Sequence, residues 1–527
     1  MKLNLLDCTL RDGGYYNNWD FGHKLINDYL RSVYLSGIEY IEIGFRSFDQ
    51  QTYRGPCAYT KDSFLEKLNI PKKLKIGVMI NASEIISVSK NKTIYKIKKL
   101  FPSKIDRINF VRIACHFHEI EKVVHISKFL KKRGYIVIFN LMQCADRSES
   151  ELHQVSKEIS KYPVDVLYFA DSMGSMNSGK TSFVIKSLKR YWKGEIGIHT
   201  HDNMLRAFTN TDQAISEGVN WIDGTITGMG RGPGNIKTEY LLINYSNLIK
   251  KKINFIPILN IIENEFKKLQ KIYNWGTNPF YFLAGKNGIH PTFIQDILED
   301  ERYDISDKLL FIDHLKNIGG KKFSKDLLDT DKNLYLGRLS NKKIKKWIPS
   351  TILKNKTVLI IGNSPQISEY TSEIEEFIKK IKPVVFGLNT QKSINEKLIN
   401  FRIISNLFRI LTDKKKYKKI KNKIIIPFER QSKEVKKFFN RRKVLNFDLE
   451  IIPNKYKFGK DLVVAPNSLV VSYALGIAAS GKVKKIILAG FQGYHSDDPR
   501  QIEMNDTINL FKTNSKISIS SITPTKY

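Results

Sequence analysis

The chain has 527 residues, 42% of them hydrophobic and 26% charged, with 87 Lys and Arg against 52 Asp and Glu and a formal net charge of +35. That length exceeds one barrel plus a tail, so two compact units are expected, and no apolar run approaches the ~20 residues of a membrane span. The basic excess invites a nucleic-acid reading, but its lysines are dispersed through KKLKIG, TDKKKYKKIKNK and KEVKKFFNRRK in an Ile- and Asn-rich chain, the pattern of a solvated basic face.

Taken in chain order, apolar runs recur as LNLLD, IEYIEIGF, KIGVMI, RINFVRI, YIVIFNL, DVLYFA, EIGIHT and WIDGTIT. These are eight strand candidates, separated by amphipathic stretches such as HKLINDYLRSVYLSG and EIEKVVHISKFLKKRG. Alternation of this kind over about 240 residues predicts an N-terminal (β/α)8 TIM barrel rather than an open sheet. Barrels of that type carry their chemistry at the C-terminal strand ends. Polar candidates stand there: Arg11 and Asp12 after the first run, Glu42 within the second, Asn140 ending the fifth, Asp171 and Ser172 ending the sixth, His199 and His201 ending the seventh. After the eighth comes GMGRGPGN, which either closes over an anionic substrate or is a tight loop that needs positive φ. The ranges read as residues 1–245 for the barrel, 246–345 for a helical extension and linker, and 346–527 for a second α/β unit.

Residues i and i+2 of a strand face the same way, so His199 and His201 can present both imidazoles to one point while Thr200 faces away. Two neutral imidazoles and a carboxylate suit Mn, Fe, Co, Ni or Zn and leave coordination positions open for substrate or water. Asp202 and Asn203 follow as outer partners of such a site. A rival pair, His116 and His118, lies in VRIACHFHE, where His118 reads as the start of a helix. Arg11 would remain free beside the metal to hold a developing oxyanion.

The segments DCTLRDGG, IEIGF, ADSMG, HTHDN and GMGRGPGN, in that order, resemble the metal-dependent barrel family that includes 4-hydroxy-2-oxovalerate aldolase, HMG-CoA lyase and 2-isopropylmalate synthase. The resemblance covers roughly residues 1 to 300. It implies metal ligation by Asp12, His199 and His201, with Asn235 matching a ligand of the lyases and synthases; Arg11 would stabilise an enolate and Glu42 would orient Arg11. The expected ion is divalent, Mn2+ first, with Mg2+, Co2+ or Zn2+ as alternatives. Within the family the aldolase branch is the nearer. RIACHFHE is similar to its fourth strand and turn, which places His116 near the pocket, and NWGTNPFYFLAGKNGIHPTFIQDIL is similar to its appended helices. Asn140, Ser172 and Gly232 are substrate-binding candidates, and Tyr281 and His290 are candidate lid residues. The synthases usually carry Glu and Gln after the RDG, where this chain has Gly14 and Tyr15.

One departure bears on mechanism. Four residues after the arginine the bacterial aldolases carry a histidine implicated in proton transfer; here that position is Tyr15, followed by Tyr16. A phenol with an ordinary pKa near ~10 is a poorer base at neutral pH than an imidazole near ~6.5. Tyr15 could instead protonate an aldehyde-derived alkoxide while His116 or a bound water serves as base, or both tyrosines simply pack the barrel mouth. The expected reaction makes or cleaves a 4-hydroxy-2-oxo acid from a 2-oxo acid and an aldehyde. A CoA-thioester lyase or Claisen-type acyltransferase of the same family, and a noncatalytic nucleotide or sugar-nucleotide binding protein, are the alternatives.

Beyond a charged stretch, SNKKIKKWIPSTILKNKT, the runs TVLIIGNSPQ, KPVVFGLN, KIIIPF, DLVVAP and KKIILAGFQGY, with the helical pattern SLVVSYALGIAASGK, predict a Rossmann-like parallel α/β unit. A strand ending in GNSP suits phosphate only if a helix follows closely. This half resembles the nucleotide-binding fold of CMP-sialyltransferases and their bacterial relatives. By that resemblance Gly362, Asn363, Ser364 and Asn389 would approach a nucleotide or nucleotide sugar, which suggests surface-polysaccharide or unusual-sugar metabolism. The run KKKYKKIKNK could attract anionic lipid or polysaccharide. Cys8, Cys57, Cys115 and Cys144 have no paired short spacing, and the N-terminus reads as a strand instead of a signal peptide. Reduced thiols and a cytoplasmic location are expected, with homo-oligomerisation left open.

Overall fold

The computed structural model describes residues 3–48, 53–102, 107–249, 252–299, 305–318, 346–405, 410, 417, 420–431, 433–439, 444–494 and 499–527. The linker segment 319–345 and half of the basic run 414–423 lie outside them. The chain divides into two compact units, Met1–Ile297 with His314–Phe323 and Leu298–Asp313 with Ser324–Tyr527.

The first unit is the expected (β/α)8 barrel. Its strands are β1 (Asn4–Asp7), β2 (Tyr40–Phe45), β3 (Lys75–Asn81), β4 (Phe110–Cys115), β5 (Ile136–Leu141), β6 (Val166–Asp171), β7 (Glu195–Thr200) and β8 (Trp221–Gly224). Each pairs in parallel with the next, and β8 closes on β1 with Asn4 opposite Trp221. All eight apolar runs supply a strand. WIDGTIT ends its strand at Gly224 and turns through Ile226–Gly228. The stretch EIEKVVHISKFLKKRG forms two short helices, Ile120–Val123 and Ile126–Lys132, where one helical pattern was read.

Two layers of inward-facing side chains decide what the barrel can hold. The lower is apolar: Leu6, Tyr40, Phe110, Ile138, Tyr168 and Trp221 pack together inside the strands, with the rings of Tyr40 and Trp221 4.5 Å apart. Glycines on intervening strands make room for this aromatic floor. A Cβ on Gly77 would lie 1.9 Å from the Phe110 ring, and one on Gly197 would lie 2.3 Å from that of Tyr168. Two residues further along the same strands, the next inward positions read Glu42, Arg112, Asn140, His199 and Asp223, all buried. A charged layer therefore rests on a buried aromatic one.

The second unit is a parallel α/β sheet. Its strands are β9 (Thr357–Ile361), β10 (Val384–Leu388), β11 (Phe401–Ile403), β12 (Lys423–Ile426), β13 (Val444–Asn446), β17 (Lys485–Ala489) and β18 (Ser518–Ser521), in the order β13-β12-β11-β10-β9-β17-β18. Leu359 and Ile361 of β9 pack with Ile374 and Ile378 of helix Thr371–Ile381. Val358 and Ile360 share a second core with Tyr473 and Leu475 of helix Val470–Ser480, so both faces are covered. DLVVAP is not part of this sheet. Its strand β16 (Leu462–Ala465) joins β14 (Asp448–Ile451) and β15 (Lys457–Phe458) in a separate three-stranded sheet. The run that gives β11 went unread because Arg402, which bonds Glu396, breaks its apolar pattern.

The floor makes a direct prediction. Gly197→Ala forces a methyl into the Tyr168 ring and should lower stability by about 1–3 kcal/mol, read as a shift in the urea midpoint. Gly179→Ala, where the nearest atom is Asn177 Oδ1 at 3.6 Å, should leave stability unchanged or raise it by up to about 1 kcal/mol.

Candidate metal centre

The centre begins with how the chain leaves β1. The Asp7 carboxylate accepts hydrogen bonds from the backbone N–H of Thr9 (3.0 Å), the hydroxyl of Thr9 (2.6 Å), that of Tyr29 (2.6 Å) and that of Thr238 (2.5 Å). This turns the chain at once into helix α1 (Thr9–Asn17), whose first six residues are buried across the barrel mouth. The two glycines of RDGG are packing requirements. A Cβ on Gly13 would meet Met229 Sδ at 2.7 Å, and one on Gly14 would meet the Trp19 ring at 2.1 Å. The indole N–H of Trp19 donates to the Arg11 carbonyl at 2.8 Å and fixes the backbone that carries the arginine.

Arg11 and Asp12 then enter a closed circuit of ionisable groups. Arg11 Nη1 lies 2.5 Å from Asp12 Oδ1, and Arg11 Nε lies 2.5 Å from Glu42 Oε1. Glu42 Oε2 is 3.7 Å from Arg112 Nη1, and Arg112 Nη2 is 2.7 Å from Asp223 Oδ2. The same Asp223 oxygen accepts from His199 Nδ1 at 2.7 Å, and His199 Nε2 returns to Asp12 Oδ2 at 3.4 Å. Asn140 Oδ1 accepts from Arg112 Nη2 at 3.4 Å, and the Arg112 guanidinium covers the Tyr168 ring at 4.1 Å.

Both histidines present Nε2 inward because Nδ1 is engaged, with Asp223 for His199 and with the Asp171 carbonyl, 2.9 Å away, for His201. The ligand atoms of Asp12, His199 and His201 all lie within 4.8 Å of one another. Thr200, between them, faces outward to Thr211 at 3.2 Å. Burial alone would raise the pKa of Asp12, but Arg11 and then His199 outweigh it and hold the carboxyl well below its usual range. Burial, then His199, push His201 down to about 3, so its imidazole is neutral and able to ligate. Asn235 Nδ2 donates to Asp12 Oδ2, and Asn235 Oδ1 is buried with no partner. Two imidazole nitrogens, one ionised carboxylate and one orphaned amide oxygen fit a divalent cation.

The other residues singled out from the sequence line the mouth. The Tyr15 ring packs against Trp19 (4.8 Å) and Phe45 (6.4 Å) and is covered on another side by the guanidinium of Arg231. The Tyr16 hydroxyl donates to the Gly232 carbonyl at 2.8 Å. Gly232 has φ +60, and a Cβ there would meet Tyr281 at 2.8 Å. His290 Nε2 is 3.3 Å from Arg231 Nη1. Ser172 accepts from the backbone N–H of Gln143 at 3.0 Å. His116 caps the turn Phe117–Glu119 and stacks on His118 at 5.7 Å. Among the described residues no third ligand joins that rival pair.

Gly362, Asn363, Ser364 and Asn389 belong to the second unit, at the C-terminal ends of β9 and β10. The helix after GNSP, Thr371–Ile381, is preceded by a 3-10 segment, Pro365–Tyr370, so the close helix N-terminus that a phosphate turn requires does not meet it. The Ser364 hydroxyl is committed to Gln492 Oε1.

Arg112 and Asp223 went unread in the sequence. Each is a lone charge inside an apolar strand run, FVRIA and WIDG, at the same inward level as Glu42. Once three strands place a charge at that level, the register of the others would have exposed them.

The family model described as HMGL-like matches residues 2–263. The chain is 25% identical over 337 residues to 4-hydroxy-2-oxovalerate aldolase of Carboxydothermus hydrogenoformans, spanning 61% of this chain and 94% of that protein. It is also 25% identical over 240 residues to oxaloacetate decarboxylase of Mycobacterium tuberculosis, covering 45% and 68% of the two chains. The crystal structure of the N-terminal domain of a "putative aldolase" from Bacteroides vulgatus is 33% identical, covers 56% of this chain and 96% of that domain, and superposes with a TM-score of 0.52.

The circuit predicts that Arg112→Leu, which strips Glu42 and Asp223 of their shared guanidinium, destabilises the barrel by about 3–5 kcal/mol. A denaturation midpoint equal to wild type would mean that the circuit does not hold the barrel together.

Proposed function

The chain belongs to the HMGL-like family, and from that premise we propose that its barrel is a divalent-metal-dependent aldolase. In this reading it makes or cleaves a 4-hydroxy-2-oxo acid through a pyruvate-type enolate. One observation carries the reading. Arg11 is buried, its Nε and Nη1 are held by Glu42 and Asp12, and its Nη2 has no partner, so one rigid cationic donor is left over beside three convergent ligand atoms. The curated relatives named 4-hydroxy-2-oxovalerate aldolase, matched over more than nine tenths of their length, support it.

Asp12, His199 and His201 would hold the ion, with Asn235 Oδ1 as the fourth protein ligand. When bound, a divalent cation of the Mn2+ type supplies Lewis-acid polarisation of the carboxylate and keto oxygens of a 2-oxo acid. Arg11 Nη2 donates to the oxygen on which negative charge develops as the C3 proton leaves. Glu42 keeps the guanidinium from rotating. His116 takes the C3 proton, C3 bonds to the aldehyde carbon, and the Tyr15 hydroxyl returns a proton to the resulting alkoxide; cleavage runs the same transfers backwards. Asn140, Ser172 and Gly232 border the substrate, and Tyr281 braces the glycine loop over it.

For the second unit the reading is a nucleotide or nucleotide-sugar site at the C-terminal strand ends, with Gly362, Asn363, Ser364 and Asn389 around it. Two facts support it. Strand order reverses at β9, where β10 and β17 flank it, the position at which parallel sheets take ligands. Asn389 stands next to it with φ 50 and an unpartnered, buried Oδ1. A place in surface-polysaccharide or unusual-sugar synthesis, in the cytoplasm, belongs to the same proposal. Among the described residues no helix is long and apolar enough to cross a membrane.

The test is loss of the pyruvate methyl proton signal in D2O with Mn2+. Exchange should require metal and fall at least about 100-fold in Arg11→Lys, which keeps charge but loses the planar fork. Absence of exchange with metal demonstrably bound would reject pyruvate as donor. For the second unit, CMP should bind the full chain, and Asn389→Ala should weaken it about tenfold, near 1.4 kcal/mol; no CMP binding, or equal binding by the variant, would reject that site.

A further inference from the structure

The glycine loop carries one side chain that the metal centre does not use. The guanidinium carbon of Arg231 sits 3.8 Å from the centroid of the Tyr15 ring, and its Nη1 sits 3.3 Å from His290 Nε2. Neither neighbour is a counter-ion, and among the described residues no carboxylate pairs with Arg231. A guanidinium braced by an aromatic face and an imidazole, without an acid, has its charge and most of its donors available to an anion.

The position is prescribed by the fold. Gly232 and Gly234 take φ +60 and +78, which reverses the chain immediately after Arg231. The Gly232 carbonyl accepts from the Tyr16 hydroxyl (2.8 Å) and the Gly276 N–H (3.3 Å), while Asn235 ties the end of the loop to Asp12. Both ends of the loop therefore reach the centre, because Arg231 lies on the ring of Tyr15, four residues after Arg11, and Asn235 is bonded to Asp12.

The donor half of the reaction is already provided for. A 2-oxo acid needs the ligand set and Arg11, and Arg231 touches neither, being set on the Tyr15 ring instead. We infer that Arg231, braced by Tyr15 and His290, forms an anion subsite for a carboxylate or phosphate carried by the aldehyde partner. The acceptor is then an oxo acid or an aldose phosphate, not a small neutral aldehyde. This assignment of substrate class rests on the aldolase reading above, whereas the anion subsite itself does not.

The experiment has two arms. In turnover with pyruvate and Mn2+, kcat/KM is compared for glyoxylate against acetaldehyde and for glyceraldehyde 3-phosphate against glyceraldehyde. Wild type should prefer the anionic member of at least one pair, and Arg231→Met should reduce that preference at least about tenfold, the worth of one charge-assisted hydrogen bond. The pair that responds tells carboxylate from phosphate. In the second arm, calorimetry without metal or pyruvate measures glycerate, glycerol 3-phosphate and glycerol. At least one anion should bind wild type at least about tenfold more tightly than Arg231→Met, and glycerol should bind neither. Arg231→Gln serves if the methionine variant fails to give a native circular dichroism spectrum. A loss shared equally by anionic and neutral aldehydes overturns the proposal, as does equal anion binding by wild type and variant. If wild type exchanges no pyruvate protons while anion binding still depends on Arg231, the subsite stands and the aldolase reading falls.

Discussion

Everything at the mouth of this barrel depends on six buried ionisable groups that close on one another: Asp12, Arg11, Glu42, Arg112, Asp223 and His199. Taking any one of them out of water alone costs several kcal/mol, and a buried pair rarely recovers that in full. A circuit in which every member has two partners does better, because each charge is compensated from both sides. Burial would raise the pKa of Asp223, yet Arg112 and then His199 keep it low; burial would lower that of His199, yet its bonds to Asp12 and Asp223 raise it. Three carboxylates stand against two guanidiniums, and either the imidazolium form of His199 or a cation at Asp12 and the imidazoles would supply the third positive charge.

The circuit also explains why the ligands are rigid. Arg11 is fixed at Nε and Nη1, His199 at Nδ1 through Asp223, and His201 at Nδ1 through the Asp171 carbonyl. No ligand has to be ordered when an ion arrives, so little binding energy is lost to positioning. The aromatic floor beneath excludes water from the underside, which strengthens every electrostatic contact above it. Asp7 performs the companion task for the backbone, tying β1, the helix His23–Leu35 and the chain after the glycine loop to one carboxylate.

Charge at the mouth is arranged differently. Around Arg11 every cation has an acid; at Arg231 the brace is an aromatic ring and an imidazole. Compensated charge makes a frame and uncompensated charge makes a receptor. That contrast separates the part of the barrel that must stay fixed from the part that meets a ligand.

The sequence by itself determined the strands of the barrel, because an apolar run recurring at regular spacing can be satisfied only by repeated burial, and period 2 obliges His199 and His201 to share a face. It also carried Asp12, Arg11 and Glu42 into one neighbourhood through the order of their motifs. Only the tertiary structure decided that Arg112 and Asp223 complete the circuit, since each looks like a stray charge in an apolar strand until closure of β8 on β1 sets the register that brings them together. The same holds for Arg231 and His290, 59 residues apart in the chain, and for β11, whose Arg402 hides a strand from any pattern of hydrophobicity. Local periodicity is written along the chain; which charges face one another across a closed barrel depends on a register that no short segment contains.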